Sequence, residues 1–98
     1  MIYLIGYQVG DGWHIKIGIA VHPHRRLKQL QTGNPHYLSL LKTIPARSPR
    51  ATEQRLHQMM SHYRSPVQKE WFVMGDEGLA FLIDAMDRVA AREPTFCG

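Results

Sequence analysis

Cysteine is nearly absent from this 98-residue chain: the single thiol, Cys97, lies one residue from the C-terminus. It can form no internal disulfide and no multi-cysteine zinc site. No apolar run approaches the roughly 18 residues of a membrane-spanning helix. The N-terminus also lacks the charged region and apolar stretch of a secretion signal. The expectation is a soluble, cytoplasmic protein without a membrane partner. A chain this short has room for one core, so residues 1–98 are expected to form a single domain. Acid is scarce where base is abundant. Between Lys16 and Glu70 lie ten basic residues and two acidic ones, whereas from Trp71 onward two basic residues face five acidic ones. Clustered Lys and Arg gain from neutralising phosphates and releasing counterions, so the basic central segment is where a polyanion would sit. Gly-rich, low-complexity and repeated segments are missing too.

What is present is periodic. Met1 to Tyr7 alternates as a strand, with Ile2 and Leu4 on one side and Tyr3 and Ile5 on the other. Gly10-Asp11-Gly12 reads as a turn, because Gly tolerates positive φ and Asp bonds its neighbouring backbone. Trp13 to Ala20 alternates again, placing Ile15, Ile17 and Ile19 on one face and His14, Lys16 and Gly18 on the other. If Ile2 and Leu4 join the isoleucine face, Tyr3 and Lys16 must share the outer one.

Pro23 suits the first turn of a helix ending near Thr32, with Leu27 and Leu30 inward, Gly33 as left-handed cap and Pro35 as stop. Tyr37 to Ile44 reads as a third strand with a less regular pattern. Ser48-Pro49 opens a second helix running to about Tyr63, with Leu56, Met59, Met60 and Tyr63 inward. Glu53 and His57 lie one turn apart on it. Arg64 to Lys69 reads as loop and Trp71-Phe72-Val73 as a short extended or turn-like segment. A last helix, over about 76–92, is capped by Asp76 and stopped by Pro94. These elements predict an α/β chain of the α+β type: a small three-stranded antiparallel sheet flanked by helices, with an extra C-terminal helix.

The series Ile2-Tyr3, Lys16-Ile17-Gly18, Arg26 and Glu53 resembles the GIY-YIG nuclease superfamily. The run from Arg26 to Pro35, Leu56-His57 after Glu53, and Glu70-Trp71-Phe72 are similar to a phage- and bacteria-associated branch whose second motif begins with Lys. The resemblance covers about residues 1 to 74 and leaves out the last helix.

It implies a metal-dependent endonuclease that hydrolyses phosphodiester bonds in DNA. Tyr3 matches the tyrosine at the reacting phosphate, and a nearby cation such as Lys16 would ease its deprotonation. Lys16 stands where most members carry a second tyrosine, which leaves the identity of the base open. Gly18 matches the glycine that permits close approach. Arg26 would hold the developing charge on the phosphate. Glu53 matches the single metal-binding carboxylate, holding one Mg²⁺ or Mn²⁺ that stabilises the leaving 3′ oxygen.

His14 and His57 are supporting candidates, and Arg25, Lys28, Arg47 and Arg50 are candidate nucleic-acid contacts. His22-Pro23-His24 lacks a third ligand and is set aside as a metal pair. Plainer readings compete. Tyr3 suits a packed sheet face, Arg26 a solvated helix, and Glu53 a local pair with Arg50 or His57. The functional alternatives are an inactive nucleic-acid-binding module of the same fold and an RNA-directed nuclease. With no separate DNA-binding domain in view, specificity would come from a homodimer or a partner chain, or would be low.

Overall fold

The computed structural model describes residues 1–68 and 70–92. Lys69, Pro94 and Cys97, to which the sequence assigns roles, lie outside the described residues. The elements are β1 (Ile2–Val9), β2 (Gly12–Ile19), α1 (Pro23–Gln31), β3 (Ser39–Ile44), α2 (Pro49–Met59), a 3₁₀ turn (Ser61–Tyr63), β4 (Phe72–Gly75) and α3 (Asp76–Arg92). No described helix is long and apolar enough to cross a membrane.

β1 and β2 form the expected hairpin, in register from Ile2 opposite Ile19 to Val9 opposite Gly12. Gly10, at φ 58°, makes the turn in the left-handed region that a side chain would oppose. β3 pairs with the other edge of β1. Its irregular pattern has a physical cause: the register shifts between Leu4 and Ile5, which oppose Lys42 and Leu40, so Leu41 is the extra residue of a bulge. The sheet has four strands, not three, in the order β3-β1-β2-β4, all pairs antiparallel. Phe72 and Met74 point inward while Val73 and Gly75 are exposed, but four residues carry too little periodicity to declare a strand. Its pairing with Gly12–Ile15 of β2 makes it one.

The sheet is covered on both faces. α2, the Met60 that caps it, and α3 pack Leu56, Met60, Leu79, Leu82 and Met86 against Ile2, Leu4, Ile15 and Ile17. α1 packs Leu27 and Leu30 over Tyr3, Ile5 and Tyr7 on the opposite face. Tyr3 and Lys16 do share one face, but it is not an outer face: Tyr3 is 2% exposed. The two-sided cover explains why six consecutive residues of β1, Ile2 to Tyr7, are buried, as expected of a central strand.

The helices start as their prolines dictate, with Pro23 and Pro49 in the first turn. Ser48 occupies the cap position of α2 but makes no side-chain capping bond. Gly33, at φ 77°, follows the end of α1. α2 ends at Met59, short of Tyr63, and continues as the 3₁₀ turn, which leaves Met59 exposed and Met60 buried. Asp76 opens α3 and accepts a hydrogen bond from Trp13 Nε1 at 3.0 Å, tying the helix start to β2.

Candidate active site

The position of the site follows from the unequal lengths of β2 and β4. β4 pairs with β2 only up to Ile15 opposite Phe72, so the edge of β2 from Lys16 to Ile19 has no strand beside it. A cleft of about 520 Å³ opens along that edge, lined by Tyr3, Lys16, Ile17, Gly18, Ile19, Arg26, Glu53, His57, Arg64 and Glu70. All four residues assigned catalytic roles from the sequence therefore meet in one place. Ile19, expected in the core, lies partly exposed on the cleft wall.

Gly18 makes the Tyr3 side of the cleft. The two residues are cross-strand partners, and a Cβ at Gly18 would overlap the hydroxyl and ring of Tyr3. The missing side chain is the space in which the phenol lies. Lys16, two residues back along β2, points to the same face. Its side chain is 11% exposed, and its Nζ donates to Glu70 Oε2 at 3.0 Å. A lysine this buried requires a partner or strong hydration to remain charged. Nζ also lies 6.0 Å from the centre of the Trp71 ring, within cation–π range.

Glu70 and Arg64 are the cleft residues that reading the sequence did not assign. Glu70-Trp71-Phe72 was visible as a motif, but its carboxylate reaches Lys16 only through a chain reversal of 54 residues. The hydrogen bond from Lys16 holds the Glu70 carboxyl below its ordinary range, with the charge of Lys16 next and that of Arg26 a weaker contribution; burial opposes them. The loop carrying Glu70 is held by Ser65. Its Oγ accepts from the backbone N–H of Val67 and Gln68, and its own N–H donates to the Trp71 carbonyl at 2.8 Å. Arg64 leans over Phe72, its guanidinium 5.4 Å from the ring centre.

The other wall belongs to α1 and α2. Arg26 is partly exposed and donates to Gln29 at 3.3 Å within its own helix, leaving most of its donors directed elsewhere. His57 donates from Nε2 to the Ile17 carbonyl at 3.0 Å; a carbonyl only accepts, so this nitrogen carries a proton. The bond caps the open edge of β2, and the ring tilts against Phe72 at 5.3 Å. The carboxylate of Glu53, half-buried one turn before His57, makes no hydrogen bond or ion pair with any described residue. The local pairs available to it along α2 are not formed.

The remaining candidates fall outside the cleft. His14 lies on the face of Lys16 but is engaged by Tyr7, whose hydroxyl is 3.1 Å from Nδ1. Arg25, Lys28, Arg47 and Arg50 are exposed and do not line the cleft.

The sequence profile of the T5orf172 domain matches residues 1–90, from β1 into the last turns of α3. The chain belongs to the T5orf172 domain family. The T5orf172 domain is phage-associated and related to nucleases of the GIY-YIG and HNH kinds. No curated protein and no solved structure matches this T5orf172 chain.

As to a metal, no group of three His, Cys, Asp or Glu is assembled among the described residues. The donor set of the cleft is one carboxylate without a protein partner, Glu53, with open space before it. That suits Mg²⁺ or Mn²⁺, which retain waters and accept substrate oxygens, and does not suit a closed zinc site.

Proposed function

We propose that this T5orf172 domain is a GIY-YIG-type endonuclease that hydrolyses phosphodiester bonds in DNA with one divalent ion. One observation carries the reading: an unpaired carboxylate, Glu53, shares a cleft with the Tyr3 phenol and the cations Lys16, Arg26 and Arg64. A core-packing or solvated-surface role for these residues does not require them to converge. Phosphodiester hydrolysis does, because it needs anion binding, a proton acceptor near the attacking water, and charge stabilisation at the leaving oxygen.

Arg26 and Arg64 orient the scissile phosphate, with Arg26 placed to hold the charge that develops on its non-bridging oxygens. The Tyr3 hydroxyl, fixed over Gly18, lies at the phosphate and relays the proton of the attacking water to solvent in the open cleft. Lys16 provides positive charge on the same face, which offsets the negative charge that builds at the phosphate during that transfer. Glu53 would hold the Mg²⁺ or Mn²⁺, which when bound stabilises the departing 3′ oxygen. His57 keeps the β2 edge and α2 in register and so positions Glu53.

Purified protein with Mg²⁺ or Mn²⁺ is expected to nick supercoiled plasmid. Arg26→Ala should lower the rate by about 10²- to 10³-fold, in line with loss of a transition-state donor, and Glu53→Ala at least as much. Both variants should unfold at the wild-type temperature. Full nicking by both would sink the assignment. DNA binding without cleavage under any divalent ion would instead make the domain a binding module, and faster cleavage of a matched RNA would redirect the substrate.

A further inference from the structure

A second, smaller cleft of about 330 Å³ is lined by Tyr7, Leu30, Thr32, Gly33, Asn34, Pro35, His36, Gln68 and Trp71. Its volume is near the lower limit of small-ligand sites. Its character is aromatic. Tyr7 stacks on His36 with ring centres 4.2 Å apart and planes 6° from parallel, and on His14 at 4.9 Å and 22°. Trp71 meets Tyr7 edge-on at 5.6 Å. His36 is solvent-exposed, and Trp71 is half-buried.

The loop that presents His36 is held in place. Gln31, the last residue of α1, donates to the His36 carbonyl at 2.7 Å and accepts from the Leu38 N–H at 2.8 Å. Asn34 Oδ1 accepts from the His36 N–H at 2.9 Å. A pre-ordered exposed ring loses little freedom when something stacks on it.

We infer that this cleft is a nucleobase-stacking subsite, which takes the base of an unpaired nucleotide next to the phosphate held in the main cleft. The inference rests on the nuclease reading for its choice of ligand, and the geometry supports it independently. Trp71 belongs to both clefts' surroundings: it lines this one and lies 6.0 Å from Lys16 Nζ, which lines the other. A cation that lines the phosphate cleft thus lies within cation–π range of an aromatic ring that lines the second cleft. Asn34 and Gln68 in the lining provide amide groups for a base edge, Asn34 through its NH₂ because its Oδ1 accepts from His36. A base inside an intact duplex cannot reach such a platform, so the favoured substrate is single-stranded or locally unpaired DNA.

The test is binding of the full chain, in EDTA so that nothing is cut, to a fluorescein-labelled single-stranded DNA and to the same backbone made entirely abasic. Wild type should prefer the base-bearing strand. His36→Ala should weaken that binding by about 5- to 150-fold, the loss typical of one stacked base, while leaving the abasic strand and the salt slope unchanged. His36→Phe should restore the preference, because a flat ring without charge suffices for stacking. The subsite is overturned if His36→Ala binds the base-bearing strand as wild type does, or if it loses both strands alike with a shallower salt slope, the mark of a phosphate contact. Nicking read separately keeps the two ideas apart. Intact nicking with His36-independent binding removes only the subsite; absent nicking with a His36-dependent base preference removes only the nuclease.

Discussion

Gly18 and Tyr3 make one unit of the site, since the ring of one lies where the side chain of the other would be. Gly18→Ala must displace either the tyrosine or β2, and overpacking of this kind costs about 1–3 kcal/mol. Denaturant unfolding should show a loss of that size with an unchanged slope. If plasmid nicking is measured on the same variant, it should fall further than stability alone explains, because the hydroxyl moves. A stability equal to wild type would mean that Tyr3 does not occupy the space beside Gly18. Glu53 makes the complementary case. Nothing in its sequence neighbourhood excluded a local pair with Arg50 or His57, and only the fold reveals that His57 bonds the Ile17 carbonyl instead.

The short β4 and the loop before it decide where the cleft can exist. By ending its pairing at Ile15, β4 leaves the far edge of β2 open, and the loop returns Glu70 to Lys16 across that gap. Docking of the loop can be followed through the Glu70 carboxyl. Its pKa is lowered by Lys16, so the stabilisation it contributes is present above the ordinary carboxylate range, about 4.3, and is lost as pH falls through the lower folded value. A ¹³C titration of Glu70 should give a midpoint below that range, and Lys16→Gln should move it upward. An unchanged midpoint in Lys16→Gln would mean that the loop is not docked on β2 in solution. The elements themselves were mostly readable: both long strands, the proline-led helix starts and the glycine after α1 follow from local chemistry. β4 and the bulge at Leu41 were not, because four residues hold too little periodicity and an extra residue breaks it.

For the whole molecule, α3 is a structural necessity. It buries Leu79, Leu82 and Met86 against the same sheet face as α2. A chain ending at Gly75 would leave that face only partly covered, and in so small a domain losing these side chains, at about 2–5 kcal/mol each, costs as much as the typical total stability of about 5–15 kcal/mol. Such a chain should show no cooperative melting by calorimetry and no near-ultraviolet dichroism. Cooperative unfolding of the truncated chain would mean that residues 1–75 are a self-sufficient unit.

The sequence by itself determined the strand and helix periods, the common face of Tyr3 and Lys16, and the candidate site residues, because these depend on side-chain alternation and motif order. The tertiary structure decided that this face is buried under α1, that a fourth strand stops short, and that Glu70, Arg64 and the His36–Trp71 platform join the neighbourhood. Those outcomes depend on contacts between residues far apart in the chain, which no local period encodes.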